Sequence, residues 1–243
     1  MIIFIAAPLE HSYDGPVHCR PPVIVVCLCW LAGVTHAELR QPVSSHYQFH
    51  SNIAQDLSDD VAGRMDAMYD EYAGLLKDFD APKDAGPLSV YLFATQQEYL
   101  EFTRAPRNSC GIFVMGRRSR RGYLASFLEI QGRDGLRRTL QHEAFHQFAY
   151  FAIGTDIPVW LNEGIAQIFE EAIWTGDQFW LGQVPPRRVW QLQHDLTFRT
   201  LLDLKTFTSI TPRQWSGVVD RDADKAATYY TQAWALADRK SVV

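Results

Sequence analysis

The feature that most constrains this chain is a pair of histidines, His142 and His146, in the run His-Glu-Ala-Phe-His. Residues four apart on an α-helix lie one turn above each other on the same face, so both imidazoles can reach one metal ion. Glu143 lies about 100° round the helix axis from the first histidine, beside such an ion. The spacing therefore predicts a metal-binding helix with a carboxylate next to the metal.

The segment around this run is predicted to be helical. Apolar residues recur at helical spacing, and neither Pro nor Gly occurs from Leu136 to Ile153. Gly154 followed by Pro158 is typical of a helix end. A second predicted helix begins after Pro158 and carries Glu163 in its first turns. Two helices joined by a short loop can bring three side chains to one point, so Glu163 is the expected third ligand.

Two imidazole nitrogens and one carboxylate oxygen suit a catalytic zinc ion, which keeps its fourth position open for water. We therefore expect one Zn²⁺ ion held by His142, His146 and Glu163. Zinc lowers the pKa of its bound water to about 7. Glu143 is predicted to take the proton of that water as a general base and to pass it to the leaving amine. The constellation predicts a zinc-dependent hydrolase with a peptide or protein substrate.

Residues 158–166, Pro-Val-Trp-Leu-Asn-Glu-Gly-Ile-Ala, resemble the P-x-W-L-x-E-G-x-A segment of gluzincin metallopeptidases, particularly the peptidase-MA-like group. Other segments resemble the bacterial DUF1570 family, and together the resemblance spans residues 46–237. It implies a gluzincin-like fold and a zinc ion, and it implies no particular substrate. The segments that carry the DUF1570 resemblance are His46–Phe49, Gly111–Phe113, Leu140–Glu143 and Tyr230–Trp234.

The chain departs from these families at several positions. The loop between His146 and Glu163 is expected to be shorter than in the better-known gluzincins. Gln167 stands four positions after Glu163, so the second carboxylate of the E-x-x-x-D pattern is absent. The metzincin pattern is excluded, because Ala149 and Ala152 stand where it requires Gly and His.

The resemblance also implies a second donor for the oxyanion that develops on the substrate carbonyl. Gluzincins often take this donor from a Tyr or His on a later helix, and Tyr230 is the predicted residue here. Tyr229 is its rival, and a packed aromatic ring is the other explanation of Tyr230. In gluzincin-like proteins a strand such as Tyr123–Ile130, directly before the motif helix, often forms the sheet edge to which a peptide adds.

The N-terminal residues are predicted to lie outside the fold. The apolar run Pro22–Val34 follows Arg20 and precedes Thr35–Ala37, which is the pattern of a secretory signal peptide. We therefore expect residues 1–37 to be removed and residues 38–243 to be secreted or periplasmic, without stable membrane insertion. An uncleaved N-terminal membrane anchor is the alternative. Residues before Arg20 do not fit the pattern, which indicates an over-long start assignment.

Charge and cysteine content restrict the function further. The net charge of −5 gives no case for nucleic acid as a partner, and no feature indicates an oligomeric state. Cys110 is the only cysteine after residue 37, so no internal disulfide is expected. Cys110 as a nucleophile is an alternative, but no histidine stands near it in the sequence.

The order of predicted elements indicates the fold class. Strands come first and helices later, which predicts an α+β fold with a small mixed or antiparallel sheet, the motif helix and a mostly helical C-terminal part. The resemblance fades after Ala237, so we expect this single domain to be truncated or altered at its C-terminal edge. Strands are expected at 46–51, 88–92, 112–115 and 123–130, and helices from Ser58, from a capping box at Thr95, and at 159–173, 187–196 and 222–240.

Three further interpretations stay open at this point. Four arginines between Gly116 and Gly122 lie in a predicted hairpin, and they could bind an acidic substrate or form a solvated tip. The chain could keep a zinc site without turnover and serve a binding or structural role. It could also hydrolyse a cell-wall amide instead of a peptide bond.

Overall fold

The structure, a computed structural model, describes residues 41–79, 86–116 and 122–238. The predicted signal peptide at 1–37, the arginines of the hairpin loop at 117–121 and the C-terminal residues 239–243 lie outside these described residues. None of the helices in the described ranges has the length and apolar character needed to cross a membrane.

The described residues form eight helices, a four-stranded sheet and a two-stranded sheet, so the predicted α+β class is confirmed. In chain order they are β1 (Tyr47–Ser51), α1 (Gln55–Leu75), β2 (Leu88–Phe93), α2 (Gln96–Thr103), β3 (Gly111–Val114), β4 (Tyr123–Phe127), α3 (Gly132–Ala152), α4 (Val159–Glu170), β5 (Ile173–Trp174), β6 (Phe179–Trp180), α5 (Pro186–Phe198), α6 (Leu204–Thr208), α7 (Pro212–Val219) and α8 (Ala223–Ala237).

The four-stranded sheet is mixed and has the order β1-β2-β4-β3. β1, β2 and β4 run parallel, and β3 pairs antiparallel with β4. The prediction that the strand from Tyr123 forms the sheet edge is therefore wrong. β4 pairs with β2 on one side and with β3 on the other, so β3 becomes the edge strand. β4 also ends at Phe127, earlier than predicted.

One face of the sheet packs against α1 and α3. Alternate residues of β2 (Leu88, Val90 and Leu92) are buried, as a half-buried strand requires. The Tyr72 hydroxyl of α1 donates a hydrogen bond of 2.6 Å to the carbonyl oxygen of Gln141 in α3. The sheet and these two helices thus form one apolar core, which fixes the position of the motif helix.

The predicted helix starts are partly confirmed. The capping box at Thr95 is present, with Glu98 as its partner. The prediction that a helix opens at Ser58 is wrong, because α1 begins at Gln55 and Ser58 is buried inside it. Burial of Ser58 and its apolar neighbours in the core outweighs the capping preference of a serine.

The C-terminal part is mostly helical, and it has its own apolar core between α4, α6, α7 and α8. The helix predicted to run to Ile173 stops at Glu170, and the chain continues into the short β5–β6 hairpin. Gly176 turns this hairpin with a φ of +113°, a value that favours glycine. α6 and α7 were not predicted from the sequence.

Candidate metal centre

The motif helix α3 ends as its sequence predicts. Gly154 adopts a φ of +98°, and its N–H donates to the carbonyl oxygen of Ala149 at 3.3 Å. Such a left-handed glycine satisfies the last carbonyl groups of a helix and redirects the chain. The chain therefore turns back at once, and α4 packs against α3.

The three predicted metal ligands lie together in the interior. His142, His146 and Glu163 are each 1% exposed, and their ligand atoms all lie within 4.8 Å of one another. The Glu163 Oε2 atom lies 3.4 Å from His142 Nε2 and 3.7 Å from His146 Nε2. One ion could therefore contact both imidazoles and the carboxylate.

The chemistry of these atoms fits a metal ion. His142 Nε2 and Glu163 Oε2 are buried and have no hydrogen-bond partner among the described residues. A buried polar atom without a partner costs about 1–3 kcal/mol, and metal coordination would remove that cost. Imidazole and carboxylate donors together suit several divalent metals. The structure thus supports a metal site and leaves the choice of metal to chemical argument.

A second carboxylate, Glu170, orients the first ligand. Its Oε2 atom lies 3.2 Å from Nδ1 of His142. A metal-ligating histidine commonly donates its second ring N–H to a carboxylate, which leaves the other nitrogen for the metal. The E-x-x-x-D pattern would place a second carboxylate at position 167, where this chain has Gln. Glu170 comes seven residues after Glu163 and so lies on the same helix face, a spacing that could have revealed it.

Arg188 of α5 connects this carboxylate to the rest of the site. Its guanidinium donates to Glu170 Oε2 at 3.3 Å, to Glu171 Oε1 at 3.3 Å and to Gln167 Oε1. Gln167 Nε2 in turn donates to the carbonyl oxygen of Tyr230 at 2.9 Å. Gln167 therefore links the helix that carries Glu163 to the helix that carries Tyr230, and the buried arginine holds the Gln167 side chain.

The charges of the site shift the pKa of its ionisable groups. Burial alone would lower the pKa of His142, but the carboxylates of Glu163 and Glu170 outweigh it and raise the pKa to about 9. Burial would raise the pKa of Glu163, but the two histidines outweigh it and lower the pKa to about 2. Burial would also raise the pKa of Glu170, but His142 and the two neighbouring arginines outweigh it and lower the pKa to about 2. Without a metal, the histidine and its two carboxylates are therefore a charged cluster at neutral pH.

Glu143 lies beside the ligands with its side chain near the edge strand β3. It is 1% exposed, and burial raises its pKa despite the nearby histidines. A Cβ atom at Gly111 would lie 3.1 Å from Glu143 Cγ and would collide with the side chain of Thr139. The glycine therefore lets β3 approach the motif helix closely, and a carboxylate with a raised pKa is suited to a general base.

The packing of α4 against α8 places Tyr230. A Cβ atom at Gly164 would collide with the carbonyl oxygen of Ala233, so the glycine after Glu163 allows the two helices to touch. Tyr230 lies one turn before Ala233 and lines the same cavity as His142. Burial and the negative charge of Glu163 raise its pKa well above the ordinary value. Both tyrosine rings contact Trp215, but the rival Tyr229 is buried in the C-terminal core and is not part of this cavity's lining.

Two cavities meet at the histidine pair. The charged cavity, about 500 Å³, is lined by His142, Glu170, Arg187, Arg188 and Tyr230 among others. The apolar cavity, about 300 Å³, has mostly apolar walls and lies between the end of α3, the following loop and α7. Its lining includes Met115, His146, Ala149, Ile157, Val159, Asn162, Arg213 and Ser216.

Comparison with known families supports part of the predicted resemblance. Residues 137–238 match a family described as Protein of unknown function (DUF1570), which is less than half of the 243-residue chain. The matched segment contains all three candidate ligands. It also contains Glu170, Arg188 and Tyr230. A search of curated proteins finds no match. The DUF1570 resemblance is thus confirmed for this segment.

Proposed function

We propose that this chain is a gluzincin-type zinc peptidase. Zinc held by His142, His146 and Glu163 would lower the pKa of a water molecule and polarise the carbonyl of a peptide bond. The observation that carries the proposal is the meeting of these three buried donors with Glu143 directly beside them. The P-x-W-L-x-E-G-x-A run adds support for the gluzincin class.

The residues around the ligands have the properties that peptide hydrolysis needs. Glu143 accepts the proton of the attacking water and returns it to the leaving nitrogen, and its raised pKa strengthens it as a base. Tyr230 keeps its proton at neutral pH, because its pKa is raised, and it can donate a hydrogen bond to the developing oxyanion. Glu170 holds His142 in the tautomer whose Nε2 faces the ligand cluster.

The test compares the chain with its Glu143→Gln variant. Both proteins are loaded with zinc and incubated with an unfolded protein and, separately, with cell-wall fragments, and the products are analysed by mass spectrometry. Glu143→Gln should keep its zinc while the rate of peptide hydrolysis falls by about 10²–10⁴-fold.

The other outcomes distinguish the competing functions. A zinc-loaded protein that cleaves neither substrate contradicts the proposal and supports a binding or structural role. Cleavage of wall fragments without cleavage of peptide bonds supports an amide hydrolase of the cell wall. Loss of zinc in Glu143→Gln would show that this residue is a ligand instead of a base.

A further inference from the structure

We propose that the apolar cavity receives an apolar side chain of the peptide substrate, and that Asn162 and Arg213 bind the polar groups next to that side chain. The inference rests on the proposed function, since it names the substrate class of the same metal site. It follows from the position of the cavity, from its walls and from two polar groups that they contain.

The cavity lies next to the ligand cluster. His146 forms part of its wall, so a group bound at the ligand cluster lies directly beside it. Its volume of about 300 Å³ is at the lower end of the range for ligand pockets, about 300–1,000 Å³. The side chains of Ala149, Ile157 and Val159 give it apolar walls. Such a space suits one apolar side chain better than a charged one.

Asn162 supplies a polar group within these apolar walls. Its Oδ1 atom is buried and has no hydrogen-bond partner in the described part of the chain. A buried acceptor without a donor destabilises a protein, so a partner from a ligand is favoured. Asn162 lines the cavity together with His146, so its amide lies near the ligand cluster. A peptide offers an N–H donor and an apolar side chain close together, and it therefore matches both features.

Arg213 supplies a positive charge at the same cavity. It is exposed, and it forms no ion pair with any residue in the described ranges. Arg187 and Arg188 of the charged cavity are different, because both are paired with Glu170 and Glu171. A carboxylate next to the apolar side chain would complement Arg213. The inferred substrate is therefore a peptide with an apolar residue beside an acidic one.

The first measurement is binding of pentapeptides to the zinc-loaded Glu143→Gln protein, which does not consume them. One peptide has leucine between glycines, and the other has asparagine, which has nearly the same size. We expect the leucine peptide to bind at least about tenfold more tightly, as for an apolar group in an apolar pocket. Equal binding of the two peptides would overturn the inference.

Variants of the cavity wall locate the binding. Ser216 lies in the wall on α7, so Ser216→Phe should fill the cavity and remove the preference for leucine, whereas Ser216→Ala should keep it. Thr155→Trp fills the cavity from the exposed loop and serves if Ser216→Phe does not fold. An unchanged preference in a folded, zinc-containing cavity-filling variant would overturn the inference.

The two polar groups are tested in the same assay. Asn162→Leu keeps the size of the side chain and should weaken binding of the leucine peptide by about tenfold. An aspartate beside the leucine should improve binding, and Arg213→Gln should remove that gain of about two- to fivefold. Lys205→Gln, an equal charge change at an exposed position of α6, is the control and should have no effect. Equal loss in both charge variants would contradict the role of Arg213.

Hydrolysis by the unmodified protein separates this inference from the proposed function. If peptide bonds are cleaved without preference for an apolar residue near the bond, the cavity inference fails and the proposed function stands. If nothing is cleaved but the leucine peptide binds selectively, the proposed function fails, and the cavity is a peptide-binding site without hydrolysis.

Discussion

The two cavities that meet at the histidine pair are built from opposite chemistry. In the charged cavity, His142 lies against Glu170, and Glu170 lies against Arg187 and Arg188. In the apolar cavity, His146 lies among aliphatic and small side chains. The two neighbouring ligands of one helix therefore have different surroundings. This difference underlies our proposal that one side holds the ligands and the other side receives substrate.

Energetics explain why these tasks are separated. Arg188 is 8% exposed, and a buried charge is tolerated only when it is paired and hydrogen-bonded. Its pairs with Glu170 and Glu171 cannot be given up for a substrate without leaving charges unpaired. The walls of the apolar cavity consist mostly of apolar side chains, so an apolar group can enter without separating Arg188 from its carboxylates.

Among the variants that compare the two cavities, the largest effect is expected at Tyr230, which lines the charged cavity. Loss of one oxyanion donor typically lowers turnover by about 10²–10³-fold. Tyr230→Phe should therefore lower kcat by that amount while zinc content and peptide preference stay unchanged. Tyr229→Phe is the matched control and should change kcat little, because that ring lies in the C-terminal core. A larger loss in the control would move the role to Tyr229.

The pH dependence of metal binding tests the charged side directly. A metal must displace the proton of His142, whose pKa is about 9 in the metal-free protein. Metal affinity should therefore rise by about tenfold per pH unit up to about pH 9. Competition with a chelator at several pH values measures the slope. A flat profile between pH 7 and 9 would contradict the raised pKa.

The same pKa shift also affects the stability of the metal-free protein. Metal affinity rises with pH, whereas this stability falls. Because the pKa of His142 is raised in the folded state, its protonated form stabilises the metal-free protein. This contribution is fully present when the pH is below the ordinary pKa of 6.5. This contribution is lost as the pH rises through about 9, so the Tm of the metal-free protein should fall over that interval. Thermal unfolding with and without zinc measures it, and Glu163→Gln should reduce the fall.

Glu170 and Arg188 should affect metal affinity, whereas the apolar wall should not. Loss of the carboxylate that orients a ligand typically costs about 10–100-fold in metal affinity, and we expect this of Glu170→Gln. Arg188→Lys should cost less, because it keeps the charge and loses the planar fork of donors. If the arginine acts through Glu170, adding Arg188→Lys to Glu170→Gln should cost little more. A loss in Ser216→Phe equal to that in Glu170→Gln would break the distinction between the cavities.

Local sequence patterns predicted which residues meet at the candidate metal centre, because each pattern is contained in one helix or one turn. Four-residue spacing places His142 and His146, the glycine at 154 ends the helix, and the second motif places Glu163. The signal for Glu170 was its seven-residue spacing from Glu163, which was not recognised. Arg188 gives no such signal, because its contacts depend on how α5 packs against α4.

The incorrect prediction of the sheet edge concerns contacts between distant segments. The edge position of β3 depends on β4 pairing with β2, which no local pattern in Tyr123–Phe127 reveals. The short β5–β6 hairpin was not predicted, since its two-residue strands are too short for alternation to show, and the helix predicted at 159–173 ran into its first residue.

The central claim is that His142, His146 and Glu163 hold one zinc ion with Glu143 outside the ligand set. Equilibrium dialysis followed by elemental analysis of the unmodified protein, the alanine variants of the three ligands and Glu143→Gln tests it most directly. The account predicts one zinc per chain in the unmodified protein and in Glu143→Gln, and strongly reduced zinc in each ligand variant. Full zinc content in any of the three alanine variants, or its loss in Glu143→Gln, would contradict the account.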